Sequence, residues 1–423
     1  MPGLARPHAD DMDVDGLIKG VCKRSAMRPP RADPRRMERL VQFTHKFARK
    51  HFTPIEAPDL SFEAWLAKTN YPKWRKEQLT KEWEDCQNPL DPKYAVVKGF
   101  MKDEAYDEFK YPRLINPRHD VFKCLVGPVF KVLEEGILYK HPAFVKGISR
   151  HKWADYVMER FDATKRTMAG DFEAWEAHVT AVLQRLEFIV YEYVLGDHKP
   201  LWWNTVKGYF LKQQKFVYKY ITVTQDAVRA SGDQQTSLGN GLLNLLLLEF
   251  FAEENNGEVT CVVEGDDSLS QWTCAWPTAA DYASVGVTIK IEDHDTVETA
   301  SFCGLVFDSE DRVIITDPLK MMAKFGWTTR NYAASRESKL KMLAKAKAYS
   351  FLYQYSGCPI LCKMSLWVLR HTQHIDLRPL LESGTLNEYD RGSLIKALEN
   401  KDELVRIAAR EPSLNTRLLM EDK

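Results

Sequence analysis

The sequence predicts an α+β fold of two or three lobes, and three observations lead to this prediction. The chain has 423 residues, which is long enough to bury more than one hydrophobic core. Near its middle, Glu258–Trp272 alternates apolar and polar residues on either side of a glycine, as in two strands joined by a tight turn. From Pro318 onwards, apolar residues recur at helical spacing, most clearly over Ser335–Tyr355, Lys363–His374 and Leu394–Ala409.

Composition narrows the class of protein. Hydrophobic residues make up 44% of the chain, charged residues make up 28%, and the formal net charge is zero, as in an ordinary globular protein. The eight cysteines include no C-x-x-C pair, which argues against a zinc site or a disulfide framework and favours reduced thiols. No signal-peptide pattern opens the sequence, and the longest mainly apolar stretch, Leu242–Leu248, is too short to span a bilayer.

The charges are segregated along the chain. Asn255–Asp311 holds twelve acidic residues and one basic residue, Lys290, whereas Pro318–Ser350 holds eight basic residues and one acid, Glu337. An acidic block followed by a basic block favours a metal site beside a surface for a polyanion. The alternative is chance segregation on solvated faces.

The N-terminal part is predicted to be mainly helical and to lead into a basic extended segment. Spacing predicts helices over Met37–His51, Ser61–Thr69 and Lys73–Cys86. Prolines keep the next segment, Phe100–Arg118, out of helical conformation. Its cations form a row suited to a triphosphate, which a guanidinium binds through paired hydrogen bonds. They are Lys102, Lys110, Arg113 and Arg118, and the alternative is a strand with a solvated basic edge.

A strand followed by a short helix is predicted within Thr167–Val179. The strand ends at Asp171 or Phe172, so the Asp171 carboxylate would project from the strand end toward a neighbouring strand. Glu176 follows five residues later. The alternative for Asp171 is the cap of a helix N-terminus, a frequent role of aspartate.

A loop and a buried helix are predicted over Arg229–Phe251. Ser231 lies in the loop, Thr236 begins the helix, and Asn240 lies on the same helical face as Thr236. A capped core helix explains the two hydroxyl residues. It does not explain the glycines that flank Asn240, because each costs about 1 kcal/mol relative to alanine in a helix. Close approach by a ligand or another chain segment is the better reason.

The turn of the central hairpin holds Gly265, Asp266 and Asp267. Glycine supplies the backbone freedom that a tight turn needs. Two adjacent carboxylates at the tip repel each other, and a divalent cation would remove this repulsion. The alternative is a solvated Asp-Asp turn. After the hairpin, the sequence predicts a strand over Val287–Ile291, whose Lys290 is either an ion-pair partner or a proton donor.

Several motifs, taken in order, resemble those of viral RNA-dependent RNA polymerases, most closely the tombusvirus-like and nodavirus-like positive-strand RNA viruses. D-x4-E at Asp171, S-G-x3-T-x3-N at Ser231 and G-D-D at Gly265 resemble motifs A, B and C. The segment from Lys102 to Arg118 resembles motif F, G-V-T-I-K-I-E resembles motif D, and S-F-C-G-L resembles motif E. The resemblance extends over roughly residues 16 to 330.

The resemblance implies a right-hand polymerase with fingers, an antiparallel-sheet palm and a helical thumb. Asp171 and Asp266 would bind two Mg²⁺ ions, replaceable by Mn²⁺, with the assistance of Asp267. The triphosphate would be neutralised by Arg113, Lys102 and Lys110. The ribose 2′-hydroxyl would be sensed by Glu176 and Asn240 together with Ser231 or Thr236. Lys290 would protonate the pyrophosphate, and the turn at Cys303 and Gly304 would support the priming strand.

The implied domains are fingers at 1–165, palm at 166–189, a fingers insertion at 190–229, palm at 230–317 and thumb at 318–423. Expected partners are an RNA template, the product strand, ribonucleoside triphosphates and other viral replicase components. No transmembrane segment is expected in this chain, and the expected location is the host cytoplasm, in a replication complex that other viral parts attach to membranes.

One residue departs from the family pattern, because related enzymes usually have aspartate where Glu176 stands. Two other functions compete with the implied one. A reverse transcriptase shares the palm, but Asn240 and the Glu264–Gly265 pair argue against it. A non-catalytic RNA-binding protein would have no need of all three aspartates.

Overall fold

The computed structural model describes residue 10 and residues 12–102, 110–326, 332 and 334–421. In chain order, the helices are α1 Val14–Arg24, α2 Pro34–His51, α3 Phe62–Lys68, α4 Lys73–Glu84, α5 Pro92–Ala95, α6 Asp120–Ile137, α7 Trp153–Arg160, α8 Trp175–His178, α9 Ala181–Leu195, α10 Trp203–Leu211, α11 Thr236–Glu254, α12 Ala279–Ser284, α13 Pro318–Phe325, α14 Glu337–Gln354, α15 Pro359–His371, α16 Arg378–Glu382, α17 Glu388–Glu399, α18 Lys401–Ala408 and α19 Leu414–Glu421. The strands are β1 Val97–Lys98, β2 Phe100–Met101, β3 Leu114–Ile115, β4 Thr167–Phe172, β5 Gln214–Val217, β6 Thr222–Gln225, β7 Val259–Glu264, β8 Asp267–Trp272, β9 Ile289–His294, β10 Val306–Phe307 and β11 Ile314–Ile315. The α+β prediction is confirmed.

The central sheet is antiparallel and has the strand order β7-β8-β4-β9. Its alternating residues cover both faces with apolar side chains. Met168, Val263 and Ile289 pack into the larger hydrophobic core with α2, α6, α9 and α11. Val262 and Leu269 face a second core with α7 and the β10–β11 hairpin. The pairing of β4 with β8 places the Asp171 strand next to the 258–272 hairpin, so Asp171 has the neighbouring strand that the sequence predicts.

Smaller sheets flank this centre. The three-stranded sheet has the order β1-β5-β6, β2 pairs with β3, and β10 pairs with β11. Helices α14 to α18 share a separate hydrophobic cluster, whereas α13 packs in a smaller cluster with α14 and α15. These helices contact the sheet region through Tyr353, whose hydroxyl accepts a hydrogen bond from the backbone N–H of Arg150 at 3.1 Å.

The structure differs from the sequence predictions at two helices. Helix α1 lies in a polar segment for which no helix is predicted, and it forms because Leu17 and Val21 are buried against β1 and β5. The predicted single helix over Leu394–Ala409 is two helices, α17 and α18, because Asn400 ends one and precedes the other.

Two buried ion pairs hold the loop before α11. Arg229 bonds Glu187, with each side chain 1% exposed. Arg118 bonds Asp233 at 2.7 Å, with each side chain 3% exposed. Arg229 and Asp233 are the members of these pairs that lie in the loop, one on each side of Ser231. The ion pairs therefore hold the loop on both sides of Ser231. Removing one member of such a pair would leave an uncompensated buried charge, which costs about 3–5 kcal/mol.

The close approach predicted at the α11 glycines is present at Gly239. A Cβ atom there would lie 2.4 Å from Arg229 Nη2 and 2.4 Å from Glu187 Oε2. At Gly241 the nearest atom would be Phe144 Cε1 at 3.4 Å, which is an ordinary contact. Gly239 therefore makes room for the buried ion pair, whereas Gly241 does not.

The Gly239→Ala substitution should lower the free energy of unfolding by about 1–3 kcal/mol, because the methyl group overpacks the ion pair. The matched Gly241→Ala substitution should be neutral or stabilising by up to about 1 kcal/mol, because alanine favours helix. Chemical denaturation of the two variants measures both values. Equal stability of the two variants would contradict this account.

Candidate active site

Asp171 lies at the end of β4, as the sequence predicts, and not at a helix cap. Its register partner on one side is Lys290 of β9. On the other side, Gly170 pairs with Ser268 of β8, so the next step of the register brings Asp171 to Asp267. The Asp171 side chain is exposed, while its strand neighbours Gly170 and Phe172 are buried. The Asp171 carboxylate is therefore exposed to solvent near the end of an otherwise buried inner strand.

Glu176 reaches the same region through a sharp reversal after β4. Ala174 has a φ of 44°, a left-handed conformation that is unusual for a residue with a Cβ atom. Helix α8 follows at once and carries Glu176. The backbone carbonyl of Glu176 accepts a hydrogen bond from the N–H of Arg229 at 3.1 Å, which ties this segment to the loop before α11.

The hairpin turn comprises two residues, Gly265 and Asp266. Glu264 pairs with Asp267, so Asp267 already belongs to β8. Gly265 has a φ of 60°, which confirms that the turn uses the left-handed freedom of glycine. Asp266 occupies the tip, and Asp267 lies beside the end of β4.

Burial and neighbouring carboxylates raise the pKa values of two members of this cluster, Asp266 and Asp267. Desolvation raises the pKa of Asp266 to about 7, and the negative charges of Glu176, Asp267 and Asp171 contribute to the shift. Desolvation and the charge of Asp171 raise the pKa of Asp267 to about 6. The turn is therefore partly buried and electrostatically strained, unlike the solvated Asp-Asp turn of the alternative interpretation.

The donor chemistry of the cluster is all oxygen, which suits Mg²⁺ or Mn²⁺. Within the described ranges, no three His, Cys, Asp or Glu side chains form a ready-made metal site. Carboxylate oxygens are the ligands that hard divalent cations prefer, and a bound cation would offset the repulsion between these carboxylates. Their side chains would have to turn toward a common centre when an ion binds.

Asn240 lies on the first turns of α11 and is 4% exposed. Its Oδ1 atom is buried and has no hydrogen-bond partner within the part of the chain that is described. The hydroxyl groups of Ser231 and Thr236 are engaged within the protein, since Ser231 donates to the Leu114 carbonyl at 2.9 Å and Thr236 donates to the Ala230 carbonyl at 3.0 Å. A nucleotide contact by these two hydroxyls stays a prediction.

The basic segment, Phe100–Arg118, contains a pair of strands, β2 and β3. The loop before α11 contacts this pair through the hydrogen bond from Ser231 to Leu114. Strand β2 pairs with β3, and residues 103–109 between them lie outside the described residues. Lys110 and Arg113 are exposed, and Lys102 is half-buried. Arg118 does not belong to the predicted row of triphosphate-binding cations, because its guanidinium is buried against Asp233 and Gln214. The sequence places Arg118 after a series of other cations, which suggests that it is exposed like them. Its ion-pair partner, Asp233, lies 115 residues further along the chain and is not apparent from the local sequence.

Lys290 and the Cys303–Gly304 turn also lie near the cluster. Lys290 forms an ion pair with Glu292 at 2.5 Å, so the predicted ion-pair alternative is realised and the proton-donor role stays a prediction. Cys303 and Gly304 both have left-handed backbone conformations, with φ values of 53° and 72°. The Cys303 thiol hydrogen-bonds to Asp267, so this turn contacts the carboxylate cluster directly.

Three residues near the cluster escaped the sequence analysis. Lys146 lies 3.8 Å from Glu264 and 3.2 Å from the Ser237 hydroxyl. Arg150 stacks on Trp153 at 3.8 Å, and its charge opposes the rise in the pKa of Asp267. Asn244 hydrogen-bonds to the hairpin turn. A signal existed for Asn244, because it follows Asn240 by four residues and so shares its helical face.

The Asp266→Asn substitution should stabilise the protein in the absence of divalent cations. The raised pKa means that the folded state binds more protons at Asp266 than the unfolded state, so the wild type loses stability as the pH rises. The gain in the variant should grow from about pH 4 to about pH 7 and then level off, reaching about 1–3 kcal/mol after solvent screening. Thermal unfolding with a chelator, at several pH values, measures it. A variant that is less stable than wild type at pH 8 would contradict the repulsion.

Comparison with known proteins identifies the family of the chain. The viral RNA dependent RNA polymerase family model matches residues 19–376. The chain is 26% identical to an RNA-directed RNA polymerase of Turnip crinkle virus over 59% of its length, and 24% identical to that of Melon necrotic spot virus over 68%. It is also 24% identical to that of Oat chlorotic stunt virus over 64%. The matched regions span 35%, 39% and 40% of the lengths of the Turnip crinkle, Melon necrotic spot and Oat chlorotic stunt virus proteins. The chain belongs to the viral RNA-dependent RNA polymerase family.

Proposed function

We propose that this chain synthesises RNA on an RNA template from ribonucleoside triphosphates and so replicates a viral RNA genome. Family membership over residues 19–376 supports the reaction class. The observation that carries the proposal is the set of four carboxylates, Asp171, Glu176, Asp266 and Asp267, that interact at one end of the central sheet. A cluster that repels itself without a cation is suited to nucleotidyl transfer, in which divalent ions neutralise the triphosphate.

The central sheet and α11 would form the palm of a right hand. The proposed boundaries are fingers at 1–165, palm at 166–189, a fingers insertion at 190–229, palm at 230–317 and thumb at 318–423. The separate hydrophobic cluster after Pro318 supports the last boundary. The hydrogen bond from the Arg150 backbone N–H to the Tyr353 hydroxyl supports contact between the thumb and the segment assigned to the fingers.

Asp171 and Asp266 would hold two Mg²⁺ ions, with Asp267 assisting, and Mn²⁺ would substitute. When bound, the ions would activate the attacking 3′-hydroxyl and stabilise the pyrophosphate leaving group. Asp267 is held beside Asp171 by the strand register and by the Cys303 thiol. Asp266 sits on the turn, and its protonation in the free enzyme would be reversed by the positive charge of an ion.

The remaining residues would orient the substrates. Arg113, with Lys102 and Lys110, would bind the triphosphate through charge-assisted hydrogen bonds. Glu176 and Asn240 would recognise the ribose 2′-hydroxyl. The buried Oδ1 of Asn240, which has no hydrogen-bond partner among the described residues, supports this role. Ser231 and Thr236 would act mainly by fixing the loop, as their internal hydrogen bonds support. Lys290 would donate a proton to the pyrophosphate, and the turn at Cys303 and Gly304 would support the priming strand.

The proposed partners are the template and product RNA strands and ribonucleoside triphosphates, with other viral replicase components also possible. The proposed location is the host cytoplasm, within a complex that other viral parts attach to membranes. Across the described residues, none of the helices combines the length and apolar character that crossing a bilayer requires.

The purified chain should incorporate ribonucleotides into RNA in the presence of Mg²⁺ or Mn²⁺ and an RNA template. Asp266→Ala should lower incorporation by at least about 100-fold without unfolding the protein, because it removes a proposed metal ligand. Asp295→Ala is a matched control, since Asp295 is an exposed acid of the same acidic block. Equal incorporation by wild type and Asp266→Ala would refute the assignment.

The Asn240→Ala substitution should narrow the preference for ribonucleotides over deoxyribonucleotides by about 10-fold or more, because the site loses a hydrogen-bonding group for the 2′-hydroxyl. The ratio of kcat/KM for a ribonucleotide to that for its deoxy analogue measures the effect. An unchanged ratio, with overall incorporation reduced, would show that Asn240 has only a structural role.

A further inference from the structure

Asn244 is a fully buried carboxamide on α11 that contacts the hairpin turn. Its side chain is 0% exposed. Its Nδ2 group donates hydrogen bonds to the backbone carbonyls of Asp266 at 3.0 Å and of Gly265 at 3.3 Å. These are the two residues of the turn itself, so one side chain bonds both turn carbonyls.

Burial alone does not account for an asparagine at this position. Asn244 interrupts the buried apolar run from Leu242 to Leu248, where a leucine would complete the hydrophobic surface. Its Oδ1 atom is buried without a hydrogen-bond partner in the described parts of the chain, which adds a desolvation cost. A buried polar group with an unmet acceptor lowers stability, so the contact with the turn is the feature that sets this residue apart from its neighbours.

The helix and the turn lie in close contact. A Cβ atom at Gly241 would lie 3.7 Å from the Gly265 backbone nitrogen, so the helix backbone runs directly beside the turn. Helix α11 is buried along most of its length. The turn, by contrast, needs a left-handed residue and carries carboxylates that repel one another. Asn244 therefore links a turn that carries mutually repelling carboxylates to a buried helix.

We infer that Asn244 is a positioning residue that holds the Gly265–Asp266 turn in the conformation in which the Asp266 carboxylate can share a divalent ion with Asp171. The inference rests on the proposed function and deepens it. One face of α11 would then have two roles in the same reaction. Asn240 would contact the sugar, and Asn244 would position the metal-binding turn. Groups that orient metal ligands in this way typically change metal affinity or activity by about 10–100-fold when they are removed.

The test compares Asn244→Leu and Asn244→Ala with wild type and with Leu247→Ala. Leucine at 244 keeps the branched, four-atom form of the side chain but cannot donate to the turn, so Asn244→Leu removes the two hydrogen bonds without emptying the buried site. Leu247→Ala removes a buried side chain from the same helix and controls for general destabilisation. The first readout is direct binding of Mn²⁺ by titration calorimetry or electron paramagnetic resonance. The second is the Mg²⁺ concentration for half-maximal incorporation, with the KM for the ribonucleotide.

Both Asn244 variants should bind Mn²⁺ at least about 10-fold more weakly than wild type and need a correspondingly higher Mg²⁺ concentration. Their KM for the ribonucleotide at saturating Mg²⁺ should stay near the wild-type value. Leu247→Ala should lose stability but keep its Mn²⁺ affinity.

Wild-type Mn²⁺ affinity in Asn244→Leu would overturn the inference, as would an equal loss of affinity in Leu247→Ala or the absence of Mn²⁺ binding by wild type. A wild type whose Mn²⁺ affinity depends on Asn244 but which incorporates no ribonucleotide would refute the proposed function and leave the positioning role intact.

Discussion

Repulsion between carboxylates at the end of the central sheet is the constraint on which the rest of this structure depends. Asp171, Glu176, Asp266 and Asp267 come from three chain segments, and desolvation and their mutual charge raise the pKa values of Asp266 and Asp267. A fold that gathers these groups loses stability in doing so. The surrounding structure offsets that loss through a buried sheet with apolar packing on both faces. Such strain is expected at a functional site that binds cations.

The supporting contacts converge on the loops that carry the cluster. The buried pairs Arg118–Asp233 and Arg229–Glu187 fix the loop before α11. The same loop bonds β3 through Ser231 and the α8 segment through the Arg229 backbone. These hydrogen bonds join the basic strand pair, the loop before α11 and the segment that carries Glu176. A substitution in the buried ion pairs should therefore disturb substrate binding as well as stability.

Sequence reasoning succeeded where the signals are local. The hairpin at Glu258–Trp272, the start of α11 at Thr236 and the end of β4 near Asp171 follow from alternation, glycine placement and helical spacing. Sequence reasoning failed where a contact with a residue distant in the sequence determines the structure. Arg118 resembles its exposed basic neighbours until Asp233 is seen beside it, and α1 is stabilised by a sheet that forms some eighty or more residues later. Asn244 was hidden inside a leucine run, because only the fold brings the hairpin turn to it.

The central claim is that the carboxylate cluster is a divalent-cation site, and anomalous diffraction from crystals soaked in Mn²⁺ tests it most directly. The account predicts an anomalous peak between the end of β4 and the hairpin turn, in contact with Asp171 and Asp266. It further predicts that Asp266→Asn crystals soaked in the same way lose most of this peak. Mn²⁺ peaks only at other acidic surfaces of the wild-type protein, with none at this cluster, would contradict the account.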